Sequence, residues 1–332
     1  MANTPRWAAV GTMDEPAQLI LSWAAHHLSL GAAEVHIYLD RENPDVEDAL
    51  RDVPNAFVTL CDDAYWAASE RRARPIRHTA RQKHNATQVY RTRDVDWVMH
   101  CDADEFLDLS DTFLAELAES PARVLRLWNI ERVRMHQSSD IFAGAFRGPT
   151  ADRLTTDRIY GRWADFLEQG MAGYKDGKDI VRVGEPFTMG VHFPINAETN
   201  ARHTDPMVEL SSARILHFDG LTPLHNVLKL LKRASEPKYQ IPRKFGPQRE
   251  RQFRFAKNHV AKPVQMRKML DGVFGMTNIQ GQRLGEVFTA TAFDPEPALK
   301  ALGLDVDLSV ESFDRVLRDR ERALIAKFGL RF

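Results

Sequence analysis

Short apolar runs alternate with helical patterns through the first 130 residues, and no other feature of the sequence constrains the fold as strongly. Between the first two runs, apolar residues recur at helical spacing from Leu19 to Leu30. Strands separated by helices need crossover connections, which produce mostly parallel sheets. The pattern therefore predicts an α/β, Rossmann-like fold with a mostly parallel sheet flanked by helices. The strand candidates are WAAVG (7–11), EVHIYLD (34–40), FVTLC (57–61), WVMHC (97–101) and VLRLW (124–128).

Polar side chains follow several of these runs. Thr12, Asp40, Asp62 and Asp102 each come at or just after the end of a predicted strand. Open α/β sheets bind their ligands beyond the carboxyl ends of the strands. We therefore expect these four side chains at the ligand-binding edge of the sheet.

The stretch WVMHCDADEFLD, residues 97–108, places four carboxylates directly after a buried-looking strand: Asp102, Asp104, Glu105 and Asp108. Like charges about 4 Å apart repel by about 4 kcal/mol at an effective dielectric constant near 20. The cluster therefore requires either a nearby cation or a bound proton. Mg²⁺ and Mn²⁺ prefer carboxylate and water oxygens, so a catalytic metal ion is one interpretation. The other is an acidic turn that caps the following helix.

The composition is that of an ordinary globular protein and excludes several classes. The 332 residues carry a net charge of −1, and no nucleic-acid-binding motif appears, so we expect no nucleic-acid partner. The start of the chain lacks the apolar segment of a signal peptide, and no stretch reaches the 18 apolar residues of a membrane span. Cys61 and Cys101 end apolar runs, which favours buried thiols in a reducing cytoplasm.

The chain changes character twice after the predicted sheet. Residues 131–220 are irregular, and we assign 1–220 to one domain that includes the predicted sheet. Residues 221–332 have helical patterns and form a predicted C-terminal extension, with Ser309 capping its last helix. Within it, residues 229–268 hold 13 Lys or Arg against 2 Glu. This basic stretch is a solvated helical face, a site for an anionic acceptor, or a peripheral contact with an anionic membrane surface.

Several segments resemble a known family. DVDWVMHCDADEFLDL resembles the strand and DxD signature of GT-A glycosyltransferases in the glycosyltransferase family 2-like group. GTMDEPAQLILSWAAHHLSLGAAEVHIYLD resembles the opening of that group, with Ser22 in place of the usual Glu, and RQKHNATQVYR resembles its basic helix. GKDIVRVGEPFTMGVHFP and ARILHFDGLTPLHNVLKLLKR resemble two later blocks. The similarity covers about residues 7–233, and the DxD block is its most specific part. It implies that residues 1–220 form a nucleotide-sugar-binding and catalytic domain.

The resemblance implies a role for individual residues. Asp102 approaches the ribose and the metal-bound phosphates, and Asp104 is the direct metal ligand. A histidine completes the metal site, and His192 is favoured over His217. The residues implied to border or contact the nucleotide are Thr12, Glu15, Asp40, Arg81 and Lys178, with Lys178 acting on phosphate as a point charge.

The acceptor side has no legible motif. The resemblance favours an inverting transfer, which needs a general base to deprotonate the attacking hydroxyl. The candidates are Asp165 and Glu168, with Glu185 and Asp205 as further options. The absence of a recognisable base leaves open a relative that binds nucleotide or carbohydrate without turnover.

The sequence therefore predicts a cytoplasmic glycosyltransferase that depends on Mn²⁺ or Mg²⁺. Its donor is a nucleotide-sugar, with UDP-sugars favoured, and its acceptor is a glycan or lipid-linked sugar, as in bacterial surface polysaccharide synthesis. A haloacid dehalogenase-type phosphatase also uses Asp-x-Asp after a strand, but that pattern requires the pair after the first strand and a following threonine. Glu105 and Phe106 do not fit it.

Overall fold

The computed structural model describes residues 4–135, 140–203, 206–235, 246–289 and 293–332. The chain forms two compact units. The first unit comprises residues 1–129, 176–215 and 295–306, and the second comprises 130–175, 216–294 and 307–332. This division differs from the predicted boundary at residue 220, because residues 130–175 fold with later parts of the chain. The functional assignment of residues 1–220 and 221–332 stays a prediction.

Strands and helices alternate along the chain. The strands are β1 (Trp7–Met13), β2 (Glu34–Leu39), β3 (Ala56–Leu60), β4 (Trp97–His100), β5 (Glu105–Leu109), β6 (Val124–Val133), β7 (Ala145–Arg147), β8 (Lys178–Arg182), β9 (Phe187–Thr188), β10 (Ile195–Asn196), β11 (Val208–His217) and β12 (Phe288–Thr289). The α-helices are α1 (Ala17–Ser29), α2 (Pro44–Leu50), α3 (Asp63–Ala68), α4 (His78–Thr92), α5 (Phe113–Glu119), α6 (Arg153–Tyr160), α7 (Pro223–Ala234), α8 (Pro247–Asn258), α9 (Pro263–Phe274), α10 (Asn278–Leu284), α11 (Glu296–Ala301), α12 (Val310–Arg320) and α13 (Arg322–Phe328). Two 3₁₀ helices span Gly161–Phe166 and Gly285–Val287.

The first unit is built on a parallel sheet. β1 pairs with β2 and β4, and β2 pairs with β3, all in parallel. β8 then pairs with β4 in the antiparallel sense, with Met99 opposite Ile180, and residues 124–127 of β6 pair antiparallel with β8. The predicted α/β sheet is confirmed. Because parallel strands share one direction, the residues that follow β1, β2, β3 and β4 lie along the same edge.

Helices cover both faces of this sheet. All seven residues of β1 are buried, as expected for a central parallel strand. Successive side chains point to opposite faces: Ala8 packs with Val89 and Tyr90 of α4, whereas the Trp7 ring contacts the His27 ring of α1 at 6.5 Å between centroids. The two helical layers therefore fix the position of the central strand ends.

The second unit is mainly helical and has its own core. Residues 131–133 of β6 pair with β7, and β7 pairs with β12, both antiparallel. Arg147 Nη2 lies 2.6 Å from Glu131 Oε1, and both side chains are fully buried. Glu131 also accepts hydrogen bonds from the backbone amides of Ala172 and Gly173. Buried charges of this kind persist only when they are paired and hydrogen-bonded.

The predicted helical character of the C-terminal segment is confirmed in its described part, where β12 is a short exception. Ser309 caps α12 as predicted, since its side chain accepts from the Ser312 amide. The expected single last helix is two, because the chain breaks between α12 and α13 at Glu321. Among the described residues, no helix combines the length and the apolar character needed to cross a bilayer.

Candidate functional site

The acidic stretch after β4 begins with a tight turn that fixes Asp102. The Glu105 amide donates to the Asp102 carbonyl at 3.0 Å, and the Asp102 amide donates to Glu105 Oε2 at 2.7 Å. Gln82 of α4 donates its side-chain amide to Asp102 Oδ1. Two elements of the first unit therefore orient the Asp102 carboxylate, whose side chain remains 30% exposed.

Lys178 supplies the positive charge that the acidic stretch requires. Its ammonium lies 2.8 Å from Asp102 Oδ2 and 2.5 Å from Glu105 Oε2, and its side chain is 1% exposed. It also lies 3.4 Å from His100 Nδ1. An ammonium can only donate, so Nδ1 accepts and the proton of the neutral imidazole sits on Nε2. An ion pair therefore compensates Asp102 and Glu105 within the first unit.

The charges in this cluster determine its protonation. Burial opposes ionisation of Asp102, but the Lys178 ammonium holds the pKa of that carboxyl well below its usual value. Burial also opposes the charge on Lys178, but Asp102 and Glu105 raise its pKa above the usual value. Burial and the Lys178 charge lower the pKa of His100 to about 3. At neutral pH Asp102 is therefore a carboxylate, Lys178 an ammonium and His100 a neutral imidazole.

Gly177 allows Lys178 to reach this position. It has φ +63, and a Cβ atom built on it would lie 2.1 Å from the Leu127 carbonyl oxygen. Its amide donates to Asn129 Oδ1 at 3.2 Å, and its carbonyl interacts with His192 Nδ1 at 3.1 Å. Only glycine fits this backbone conformation without strain or overlap.

A second charged cluster follows β2. In it, Asp40 and Arg81, both predicted to contact the nucleotide, pair with each other. Asp40 Oδ2 accepts from Arg81 at 2.5 and 3.0 Å, and Asp40 Oδ1 lies 2.9 Å from Arg74 Nη2. Burial alone would raise the Asp40 pKa, but hydrogen bonds from His78 and Arg81 hold it well below its usual value. Arg81 is therefore part of a fixed ion-pair network and not a solvated side chain.

A neutral network lies after β1 and β3. Asn85 of α4 donates to Thr12 Oγ1 at 2.9 Å and contacts Cys61 Sγ at 3.5 Å, while its carbonyl oxygen accepts from the Tyr65 hydroxyl at 2.7 Å. Burial raises the pKa of the Cys61 thiol to about 12, so this cysteine stays a neutral thiol. Asp62, another of the predicted edge residues, caps α3 by accepting from the Tyr65 amide.

The other predicted residues of the first unit have individual environments. The Glu15 carbonyl accepts from Asn43 at 3.1 Å just before α1. Asp104 is buried. His192 bonds the Gly177 carbonyl through Nδ1, which places the ring proton there and the lone pair on Nε2. Burial and the Lys178 charge lower the pKa of His192 to about 4, so the ring is neutral and able to bind a metal.

His217 belongs to the second unit, at the end of β11. A ring nitrogen of His217 and a carboxylate oxygen of Asp219 lie within 4.8 Å of each other. The His217 ring is tilted by 51° against the Tyr174 ring, with 4.9 Å between their centroids, and a Cβ on Gly173 would lie 2.7 Å from the His217 ring. Asp219 pairs with Arg249 at 2.6 Å. Burial opposes charge on Asp219, but the Arg249 charge holds its pKa well below the usual value.

The predicted general bases also lie in the second unit, and both make ion pairs. Asp165 Oδ1 lies 2.7 Å from Arg153 and its Oδ2 lies 2.8 Å from Arg251. The hydrogen bond from Arg153 lowers the Asp165 pKa, which makes this carboxylate a weaker base. Glu168 accepts from the Gln248 side chain and lies 3.8 Å from Lys175.

Of the two further base candidates, Glu185 lies within the described residues and Asp205 does not. Glu185 lies in the first unit, where its carboxylate is 3.4 Å from Arg123.

Sequence reasoning missed the residues that hold the acidic stretch in place. Gln82 and His100 were not predicted as part of the site, and Glu105 was treated as one of several repelling charges. Asp219 was also missed, although it lies two residues after His217 in the HFD triplet. The only available signal was proximity to a predicted site residue, which does not reveal where a side chain points.

Comparison with known proteins gives no family. No family model and no curated protein matches the chain. Among solved structures, TarS residues 1–349 of S. aureus is similar at 11% identity, 98% coverage of this chain, 93% of that chain and a TM-score of 0.32. Galactosyltransferase LgtC is similar at 12% identity, with 96% coverage of this chain, 99% of that chain and a TM-score of 0.27. Glycosyltransferase GlyE of Streptococcus pneumoniae is similar at 11% identity, with 97% coverage of this chain, 64% of that chain and a TM-score of 0.28. All three TM-scores lie below 0.5, so the functional assignment depends on the chain's own residues.

Proposed function

We propose that this chain is a metal-dependent glycosyltransferase of the GT-A type that uses a nucleotide-sugar donor, with UDP-sugars favoured. The observation that carries the proposal is the edge of the parallel sheet in the first unit. There Thr12 is the last residue but one of β1, and Asp40 and the Asp102–Asp104 turn follow β2 and β4. This is the edge where α/β sheets bind ligands.

The donor groups fit a hard divalent cation. Carboxylate oxygens suit Mn²⁺ and Mg²⁺, and Asp104 is the proposed direct ligand. His192, in the first unit, and His217, in the second, remain the two candidate histidines. When bound, such an ion neutralises the charge that develops on a departing nucleoside diphosphate.

The protein's own groups prepare this site before a donor arrives. Lys178 and Gln82 hold the Asp102 carboxylate ionised and oriented. At the same sheet edge, Asp40 and Arg81 hold each other in fixed positions, where we propose that the nucleobase or ribose binds. Groups held in place before binding lose less entropy when the ligand binds.

The acceptor side is proposed from the candidate bases and from the sequence resemblance. An inverting transfer to a glycan or lipid-linked acceptor requires a base, and Glu168 is the better of the two predicted candidates because Arg153 and Arg251 both pair with Asp165. Setting in a bacterial surface polysaccharide pathway and a cytoplasmic location remain proposals drawn from the sequence resemblance. The ion pairs of both candidates favour one alternative, a relative that binds nucleotide or carbohydrate without turnover.

The basic stretch 229–268 remains a proposed membrane or acceptor contact. Several of its cations have acidic neighbours within the second unit: Lys229 and Arg249 pair with Asp219, and Lys232 lies 3.1 Å from Glu321. Arg254 and Lys257 of α8 are exposed. These ion pairs favour a mainly structural use of the stretch.

Calorimetric titration tests the proposal. UDP, GDP and their sugar conjugates are titrated into the protein in the presence and in the absence of Mn²⁺. We expect metal-dependent binding of one nucleotide that Asp104→Ala abolishes and Asp305→Ala preserves. Asp305 is the matched control because it belongs to another Asp-x-Asp triplet and is exposed. Absence of binding to every nucleotide, in a folded protein with metal present, contradicts the assignment.

Release of free sugar from the bound donor then separates an enzyme from a binding protein. The variants Glu168→Gln and Asp165→Asn test which of the two candidates is the general base. Loss of turnover in Glu168→Gln with unchanged donor binding supports Glu168, and unchanged turnover in both variants excludes both residues.

A further inference from the structure

The segment between α3 and α4 carries a dense positive charge. Residues 71–77 read RRARPIR, which places four arginines within seven residues and no acidic residue among them. We call residues 71–77 the arginine loop. Its arginines are exposed, and Ile76 is 77% exposed, the highest value among the exposed large hydrophobic residues described. Ile76 thus places an exposed apolar side chain inside a dense positive surface, and segments that bind at a membrane interface combine basic and apolar side chains in this way.

The arginine loop is fixed to the body of the first unit by its backbone and by one of its arginines. Arg74 Nη2 donates to the Asp40 carbonyl at 2.8 Å, and Arg81 Nη1 donates to the carbonyls of Pro75 and Ile76 at 2.7 and 3.0 Å. These bonds hold the backbone at Ile76 while its side chain projects outward. The loop therefore presents its apolar tip without needing to order on contact, which favours binding.

We propose that the arginine loop docks on an anionic lipid bilayer, with Ile76 entering the interface and Arg71, Arg72 and Arg77 contacting lipid phosphates. Clusters of arginine are attracted to anionic membrane surfaces, and apolar side chains that flank them bury in the headgroup region. A soluble acidic polymer would attract the same arginines but would not reward an exposed isoleucine. The isoleucine decides between these two partners.

Docking through this loop has a consequence for the proposed activity. Asp40 anchors the arginine loop and also belongs to the predicted nucleotide-binding edge of the same unit. Contact with the bilayer would bring that edge to the membrane surface, where a lipid-linked acceptor is available. The docking itself does not rest on the glycosyltransferase assignment.

Co-sedimentation of the full chain with vesicles tests the inference, using phosphatidylcholine alone or mixed with phosphatidylglycerol. We expect binding only to the anionic vesicles. Ile76→Ser should weaken it by about 10-fold or more, from the value of burying one such side chain. The triple variant Arg71→Gln, Arg72→Gln and Arg77→Gln should weaken it by roughly 100-fold, from about fivefold for each cation.

Matched controls come from the second unit. Ile279→Ser removes an isoleucine that is 61% exposed, and the double variant Arg254→Gln and Lys257→Gln removes exposed charge from α8. Both should bind vesicles like the wild type. Loss of binding in the α8 variant with retention in the arginine-loop variants would overturn the inference in favour of the basic stretch 229–268.

Two further outcomes would also overturn it. One is no binding to either vesicle. The other is unchanged vesicle binding by Ile76→Ser while the triple variant loses binding to soluble polyphosphate, which identifies an acidic polymer as the partner. Metal-dependent nucleotide binding should survive in all these variants, so failure of the docking inference and failure of the proposed function are distinguishable.

Discussion

Replacing Lys178 with methionine removes the internal cation of the acidic stretch. The thioether side chain would keep most of the apolar volume but would leave Asp102 and Glu105 without the ammonium that lies 2.8 and 2.5 Å away. The side chains of Lys178 and Glu105 are each 1% exposed, so water cannot replace the lost charge. Removing one partner of a buried ion pair costs about 3–5 kcal/mol, and we expect the free energy of unfolding to fall by that amount at pH 7.

Urea unfolding, followed by tryptophan fluorescence, measures this loss, because five of the six tryptophans lie in the first unit. The double variant Lys178→Met and Glu105→Gln should recover a large part of it, because the amide removes one uncompensated charge and can still accept from the Asp102 backbone. Lys300→Met is the matched control: Lys300 is 71% exposed and should change stability by less than about 0.5 kcal/mol. A loss below about 1 kcal/mol for Lys178→Met, or no rescue by Glu105→Gln, refutes the reasoning, since buried pairs cost about 3–5 kcal/mol to break.

Three further perturbations test other parts of the fold. Arg147→Met should lower the free energy of unfolding by about 3–5 kcal/mol, because it leaves Glu131 as an unpaired buried charge; chemical denaturation checks this. Gly177→Ala should destabilise by about 1–3 kcal/mol more than Gly184→Ala, because both glycines have positive φ but only Gly177 has a carbonyl in the space of the new Cβ. Burial lowers the pKa of His27 to about 3 from 6.5, so the folded ring stays neutral while the unfolded ring takes up a proton below pH 6.5. Stability should therefore fall as the pH drops from 6.5 towards 3, by up to about 1.4 kcal/mol per pH unit, and His27→Asn should remove that share of the slope in unfolding curves measured at several pH values.

Each of these predictions has a clear opposite result. Adding Glu131→Gln to Arg147→Met should recover stability, and a purely additive double variant would show that the pair is not coupled. Equal losses in the two glycine variants would show that backbone strain alone, and not the contact with the carbonyl, sets the cost. Parallel plots of unfolding free energy against pH for the wild type and His27→Asn would show that the pKa of this histidine does not differ between the folded and unfolded states.

The sequence predicted the strands and the helices between them because both are local properties. Each strand is a short apolar run, and the runs at 7–11, 34–40, 57–61 and 97–101 became β1 to β4 in a parallel sheet. Direction then follows from connection, since helices between strands require crossovers. Thr12, Asp40 and Asp102 could therefore be placed at one edge without coordinates.

The sequence could not predict which of these edge residues bind each other. Asp40 and Arg81 were expected as separate nucleotide contacts, yet they form an ion pair at 2.5 Å. Lys178 was expected on a phosphate, yet its ammonium lies between Asp102 and Glu105. Side-chain direction depends on packing against neighbours that are distant in the chain, and a single sequence does not encode it visibly.

The sequence by itself determined that an acidic stretch follows a buried strand and that its repulsion needs a compensating positive charge. Only the tertiary structure decided that an internal lysine supplies that charge to Asp102 and Glu105. β8 runs antiparallel beside β4, and this pairing brings Lys178 to residues more than 70 positions earlier in the chain. Coulomb attraction acts through space and not along the chain, so the partner of a buried charge becomes known only when the strands are paired.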